Sequence, residues 1–276
     1  MMVPERFRRA VFLHLLKNLH PKPRAGAPLI LGVHGPSGEG KTVQCLQLFT
    51  EISADVVPIS GGQLESPNAG EPAQVIRDGY QRAARTRLPQ DGRMKPAVLF
   101  LNDFDAAVGD WGTQVQYTVN RQTVFGELMH LADFPNKVAG KSVPRVPIVL
   151  TGNDFTRLYS PLTRLGRMAL FSWSPQREER IRIITSMYPQ LEAGEHEELF
   201  AVFKDQPMAF FAQIRAELED DSLWHYVTAK GAQSVFQDLA EGLVPDPREY
   251  ISLERLIDIG GRILNSRVLE NHLQGG

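Results

Sequence analysis

The segment Gly35-Pro36-Ser37-Gly38-Glu39-Gly40-Lys41-Thr42 has the spacing G-x-x-x-x-G-K-T. Glycines let a backbone approach an anion with its N–H groups turned inward, and a helix that starts where the loop ends adds the positive end of its dipole. Lys41 then reaches the β and γ phosphates of a nucleotide, and the Thr42 hydroxyl takes a place on Mg²⁺. The whole run from Gly35 to Thr42 is expected to hold the phosphates of ATP. A chance glycine turn would use the same letters. Here an apolar strand pattern, Leu29 to Val33, leads into the loop and a helical pattern leads out of it.

A phosphate loop needs an acidic group at the end of a neighbouring strand to manage magnesium and the attacking water. Leu99 to Leu101 runs apolar into Asn102-Asp103-Phe104-Asp105. Asp103 is the candidate for orienting or deprotonating the water and for meeting the metal, while Asn102 and Asp105 can hold the metal's water shell. Read alone, the same pair serves equally as a turn or a helix cap. Thr151-Gly152-Asn153-Asp154 follows another apolar strand, where ligand-facing residues of parallel sheets collect, so Asn153 can sense the γ-phosphate. Arg164 and Arg167 lie three apart before the next strand, and either suits a transition-state phosphoryl group with its planar, permanent charge. Arg215, in a later helical pattern, can reach toward nucleotide. Each of these arginines is equally readable as a solvated surface residue.

Other suggestive residues lead less far. His196-Glu197-Glu198-Leu199-Phe200 breaks the H-E-x-x-H zinc pattern at its last position. His34 precedes the phosphate loop and reads as a strand-end histidine. Trp111 and Tyr117 sit in a polar stretch after the acidic strand, where aromatics either pack or grip a substrate chain.

The elements that must position these groups alternate. Strand patterns at Leu29–Val33, Val56–Ile59, Ala97–Leu101, Val146–Leu150 and Met168–Trp173 are separated by helical patterns, including 71–88 and 116–133. Such alternation predicts an α/β core with a parallel five-stranded sheet covered on both faces. An amphipathic helix with Phe7, Val11, Leu15 and Leu19 on one face comes first, followed by a proline-rich connector to Pro28. Beyond Pro175 the strand patterns stop, and helices such as Gln176–Met187, Pro207–Leu218 and Leu253–Leu264 follow. Residues 1–173 are thus expected to form the nucleotide-binding subdomain, with helix and linker in 1–28, and 174–276 a smaller all-helical lid.

The chain has 276 residues with a formal charge of -2, so no global basic field favours nucleic acid. One cysteine, Cys45, rules out an internal disulfide within the chain. No apolar run is long enough to cross a bilayer, and a cytoplasmic protein without membrane contact is expected.

In its order of parts the chain resembles the AAA+ ATPases, and within them the green-type Rubisco activases of cyanobacteria and chloroplasts. The residues that carry this resemblance include Leu64 to Pro72, Leu101 to Ala106, Gln116 to Asn120, Thr151 to Phe155, Leu158 to Leu162 and Gly166 to Met168. The resemblance implies a homo-oligomeric ring, a hexamer, with ATP and Mg²⁺ bound between subunits. It implies that Arg164 and Arg167 reach a neighbour's nucleotide, that Arg215 is the lid sensor, and that loops near 64–71 and 105–117 face a central pore. Rubisco becomes the implied client, freed of inhibitory sugar phosphates, in a bacterial cytosol or plastid stroma. Leu165 stands where the family has Asp, Glu217 where it often has a second arginine, and 134–143 is shorter. The chain is also expected to lack the N-terminal extension of plant activases and the small-subunit-like module of some cyanobacterial ones. A remodelling ATPase with another client, a P-loop small-molecule kinase and a nucleic-acid loader are the competing readings; the last needs a basic patch or recognition helix that the sequence does not offer.

Overall fold

The computed structural model describes residues 2–20, 26–66, 68, 70–87, 95–108, 115–243 and 251–274, with side chains omitted at 107, 115–119 and 267–274. Trp111 lies outside these residues, as does the Tyr117 side chain. Two compact units divide between Ser174 and Pro175.

In the first unit, α1 (Glu5–Leu19) turns Phe7, Val11 and Leu15 inward. Strand β1 (Ile30–His34) leads to α2 (Lys41–Glu51), β2 (Asp55–Ser60), α3 (Glu71–Thr86) and β3 (Ala97–Asn102). After it come the short α4 (Phe104–Val108), α5 (Val115–Asp133), the hairpin β4 (Lys137–Val138) and β5 (Lys141–Ser142), then β6 (Ile148–Gly152) and β7 (Met168–Ser172). Five of these strands form one parallel sheet in the order β2-β3-β6-β1-β7. The α/β core expected from the alternating pattern is therefore present.

Side chains alternate across the sheet. Val57, Ile59, Leu99, Leu101, Ile148 and Leu150 pack with α3 and α5 in the main core. The residues between them face the other way, where Phe100 meets Phe49 of α2 edge-on at 5.5 Å. The ordered strand begins at Ile148 rather than Val146, because Pro147 has no N–H to give the ladder, although its carbonyl accepts from Leu99 N at 3.1 Å. The β4–β5 hairpin lies below the reach of any period-based reading. It turns on Ala139 and Gly140, both at positive φ, as a two-residue hairpin turn demands.

The second unit is helical: α6 (Arg177–Met187), α7 (Ala193–Val202), α8 (Met208–Lys230), α9 (Ala232–Glu241) and α10 (Leu253–Gln274). Its core gathers Phe203, Phe210, Phe211, Ile214, Leu218 and Leu256. Gly260 lets α10 approach, since a Cβ there would sit 2.4 Å from the Phe203 ring. His196 is buried with Nε2 2.8 Å from the Tyr188 carbonyl, a structural bond that accounts for it without zinc. Among the described residues no cluster of metal-ligating side chains occurs, and no helix is long and apolar enough to cross a membrane.

Candidate functional site

The site lies at the carboxyl ends of β1, β3 and β6, adjacent strands of the parallel sheet. Ends of this kind open toward ligand because the following loops can splay apart. The phosphate loop leaves β1 at Gly35, whose φ is 148°. A Cβ at this position would fall 1.9 Å from the carbonyl oxygen of Trp173, so only glycine fits. Trp173 also donates from Nε1 to the Glu39 carbonyl at 2.8 Å, and its backbone N–H donates to the His34 carbonyl at 2.7 Å. The rear of the loop is thereby fixed to the residue that follows β7. At the front, Gly40 caps α2 with φ 76° and no side chain caps the helix, which leaves the first-turn N–H groups directed at an anion.

Lys41 is 6% exposed. Its Nζ donates to the Gly35 and Pro36 carbonyls, each at 2.8 Å, and to Asn153 Oδ1 at 3.0 Å. Burial holds the ammonium below the usual lysine value, while the carboxylates of Asp105, Asp103 and Glu39 pull the other way. The basic and acidic arms of the site thus converge on one cation. The backbone agrees, since Gly35 N donates to the Asn153 carbonyl at 3.2 Å.

A second knot joins the loop to the acidic strand. Thr42 Oγ1 donates to Asn102 Oδ1 at 2.6 Å, and Thr151 Oγ1 donates to the same oxygen at 2.8 Å. With its oxygen so occupied, the Asn102 amide turns Nδ2 toward Asp103 Oδ2 at 2.8 Å. Asp103 itself has φ 51°, an uncommon left-handed conformation for a residue with a side chain, and its N–H bonds to Thr151 Oγ1 at 3.2 Å. Backbone strain of this kind collects where a side chain must be aimed. The Asp103 carboxylate is exposed at the mouth of the loop.

Asp105 goes elsewhere. Its Oδ2 accepts from the backbone N–H groups of Asn153 and Asp154, both at 2.7 Å, so this oxygen is engaged with the loop after β6. His34 is half-buried and stacks on Phe155 with centroids 5.5 Å apart, and burial lowers its pKa. It is the packed strand-end histidine its position predicts.

The arginines separate. Arg164 is exposed, and its guanidinium makes no hydrogen bond or ion pair among the described residues. Arg167 forks onto Asp133, with Nε 2.9 Å from Oδ1 and a terminal nitrogen 2.6 Å from Oδ2, and donates to the Pro161 carbonyl at 2.9 Å. Within the helical unit, Arg215 bonds to Glu219 at 2.8 Å and to the Met187 carbonyl at 2.7 Å.

Gly35, Gly40, Lys41, Thr42, Asn102, Asp103 and Asn153 therefore come together as their spacing implies. Thr151 and Trp173 are additions. A hydroxyl at the end of an apolar strand is the one signal the sequence carries for Thr151, which the fold buries completely. Nothing in the letters marks Trp173, because its role depends on β7 lying beside β1.

The donor set fits a nucleotide with its magnesium: a glycine cradle that a Cβ would fill, a lysine facing inward, and hard oxygen ligands on Thr42 and Asp103. The family model described as ATPase family associated with various cellular activities (AAA) matches residues 31–176, and that described as Ribulose bisphosphate carboxylase/oxygenase activase, AAA, helical matches residues 177–267. A chloroplastic Ribulose bisphosphate carboxylase/oxygenase activase of Chlamydomonas reinhardtii is 38% identical over 92% of this chain and 64% of its own length. A Nostoc activase is 37% identical over 96% of the chain and 66% of its length, and one from Malus domestica 36% identical over 95% and 61%. The chain thus spans less than two thirds of the length of these curated relatives. With its phosphate loop, acidic strand and Asn153 loop in the order described, the chain belongs to the AAA family of ATPases.

Proposed function

We propose that this chain hydrolyses ATP to remodel a protein client, and that the client is Rubisco blocked by a tightly bound sugar phosphate. The observation that carries the reading is the shared engagement of Lys41 with the phosphate loop and with Asn153, beside an Asn102-Asp103 pair tied to Thr42. Names of the relatives supply the client.

Gly35 to Thr42 binds the phosphates, and Lys41 and the α2 N–H groups stabilise their charge. Thr42 and Asp103 would hold Mg²⁺, which would supply positive charge beside the phosphates. Asp103 orients the attacking water and takes up its proton, and Asn153 distinguishes a γ-phosphate from its absence by a hydrogen bond. Arg164 and Arg167 complete the nucleotide site of an adjacent copy in a ring, a hexamer, and Arg215 serves as sensor from the helical unit. A motor of this type belongs in a bacterial cytosol or plastid stroma.

The deciding experiment combines an ATPase assay with reactivation of a form I Rubisco inhibited by bound sugar phosphate. ATP-dependent recovery of carboxylation, absent with Lys41→Ala, is the expected result. ATP hydrolysis without recovery across several Rubiscos would keep the motor and discard the client, and phosphorylation of a metabolite by a stable monomer would discard the motor.

A further inference from the structure

The sequence offers Asp105 as part of the metal's water shell, but its geometry points inward to the protein. Oδ2 accepts two backbone N–H groups, those of Asn153 and Asp154, at 2.7 Å each. Oδ1 is buried with no hydrogen-bond partner among the described residues, and a Cβ on Gly152 would come within 2.5 Å of it. The carboxylate therefore lies flat against a glycine backbone, in space that no other residue at 152 would leave. Asn153 is held on three sides: its N–H by Asp105, its carbonyl by Gly35 N, and its side-chain oxygen by Lys41. Asp105 stands in the first turn of α4, two residues after the left-handed Asp103. One carboxylate thus joins the β3–α4 corner to the loop after β6, and Asn153 joins that loop to both the backbone and the lysine of the phosphate loop.

We propose that Asp105 is a positioning residue, which sets Asn153 to read the γ-phosphate and couples that reading to Asp103, and that it is not a ligand of the metal's water shell. The inference rests on the proposed nucleotide site. It predicts that Asp105 contributes to telling ATP from ADP while contributing little to magnesium binding. A single carboxylate oxygen accepting two N–H groups is a charge-assisted arrangement, and an amide oxygen can occupy the same place with less strength. Asp105→Asn should therefore keep most of the effect that Asp105→Ala loses.

Two measurements test this on the full chain. In the first, affinities for ADP and for a non-hydrolysable ATP analogue are taken with Mg²⁺ titrated. Asp105→Ala and Asn153→Ala should each lower the preference for the analogue by about tenfold, with the Mg²⁺ midpoint unchanged. Asp105→Asn should restore most of the preference, and combining Asp105→Ala with Asn153→Ala should add little. A raised Mg²⁺ midpoint in both Asp105 variants, or an unchanged preference in Asp105→Ala, would overturn the proposal. The second measurement is amide hydrogen exchange without nucleotide. Faster exchange at Asn153 and Asp154 in Asp105→Ala, with protection kept in Asp105→Asn, supports the assignment, and unchanged exchange in Asp105→Ala overturns it. Failure of the unsubstituted chain to bind either nucleotide would sink the proposed function instead, with the exchange result still deciding whether Asp105 holds the loop.

Discussion

At the residue scale, Asp103 combines an exposed carboxylate with a strained backbone, which Thr151 stabilises through the Asp103 N–H. Asp103→Asn keeps the shape and removes the proposed base. It should bind ATP with affinity within a few-fold of the parent while turnover falls by about 100-fold or more, measured by nucleotide titration and steady-state hydrolysis. Turnover near the parent's would place the base elsewhere. Gly35→Ala should behave differently, because its Cβ collides with a backbone oxygen, not with a side chain that can yield. A loss of about 2–3 kcal/mol in urea unfolding, together with weakened nucleotide binding, is expected. Most of these residues were legible in the sequence because Gly35 to Thr42 is contiguous and its chemistry is fixed by spacing. The partners of Thr151 and Asp105 were not, since each acts across a gap of more than 40 residues on a group that only the sheet brings near.

At the element scale, α1 packs His14 against the core with Nδ1 3.5 Å from Asn18 Nδ2 and Nε2 without a hydrogen bond of normal geometry among the described residues. Burial is the main reason its pKa falls to about 3, with the Ile148 backbone opposing and Arg145 and Lys17 assisting. The unfolded chain binds a proton here near the ordinary value of about 6.5, while the folded chain stays neutral until far lower pH. Between these two values the unfolded state holds more protons, so stability is full above pH 6.5 and is lost as pH falls. By about pH 5 the loss from this one group is about 2 kcal/mol. His14→Leu should therefore flatten the difference between urea midpoints at about pH 7 and about pH 5; an unchanged difference would show that His14 is not the titrating group. The helix was legible from Phe7, Val11 and Leu15, but the buried imidazole was not. His14 lies three positions after Val11, so helical spacing alone places it on the inner face, yet polarity argues for the outer one. Burial of the polar atom only becomes tolerable because the ring stays uncharged. The strands were legible to within one or two residues for a related reason: apolar runs mark the buried part of a strand, whereas ends such as Asn102 and Gly152 are set by ladder partners in other strands.

At the scale of the whole molecule, the proposed ring requires one copy to complete the site of the next, and the arginines offer different means of doing so. Arg167 is only 17% exposed along its side chain and is held by Asp133, whose carboxyl it keeps below the ordinary aspartate value. Removing Arg167 leaves Asp133 without its fork and the Pro161 carbonyl without a donor, so Arg167→Ala should lower the melting temperature as well as the turnover. Arg164 has no such obligation among the described residues, and Arg164→Ala should leave the melting temperature alone while stopping hydrolysis. A subunit with Arg164→Ala keeps an intact phosphate loop, and one with Lys41→Ala keeps an intact arginine. Each should be inactive alone. If the arginine acts on the neighbour's nucleotide, an equal mixture assembled at random makes roughly a quarter of its interfaces complete, each joining an intact loop to an intact arginine. Hydrolysis should then reappear at about that fraction of the parent rate, because an arginine supplied from outside the nucleotide-binding subunit is still effective on the transferring phosphoryl group. Mixing measured after exchange of subunits, with each variant alone as baseline, reads this directly. No recovery in mixtures that have demonstrably exchanged would mean that Arg164 serves its own subunit, and the ring would then be needed for handling the client and not for the chemistry.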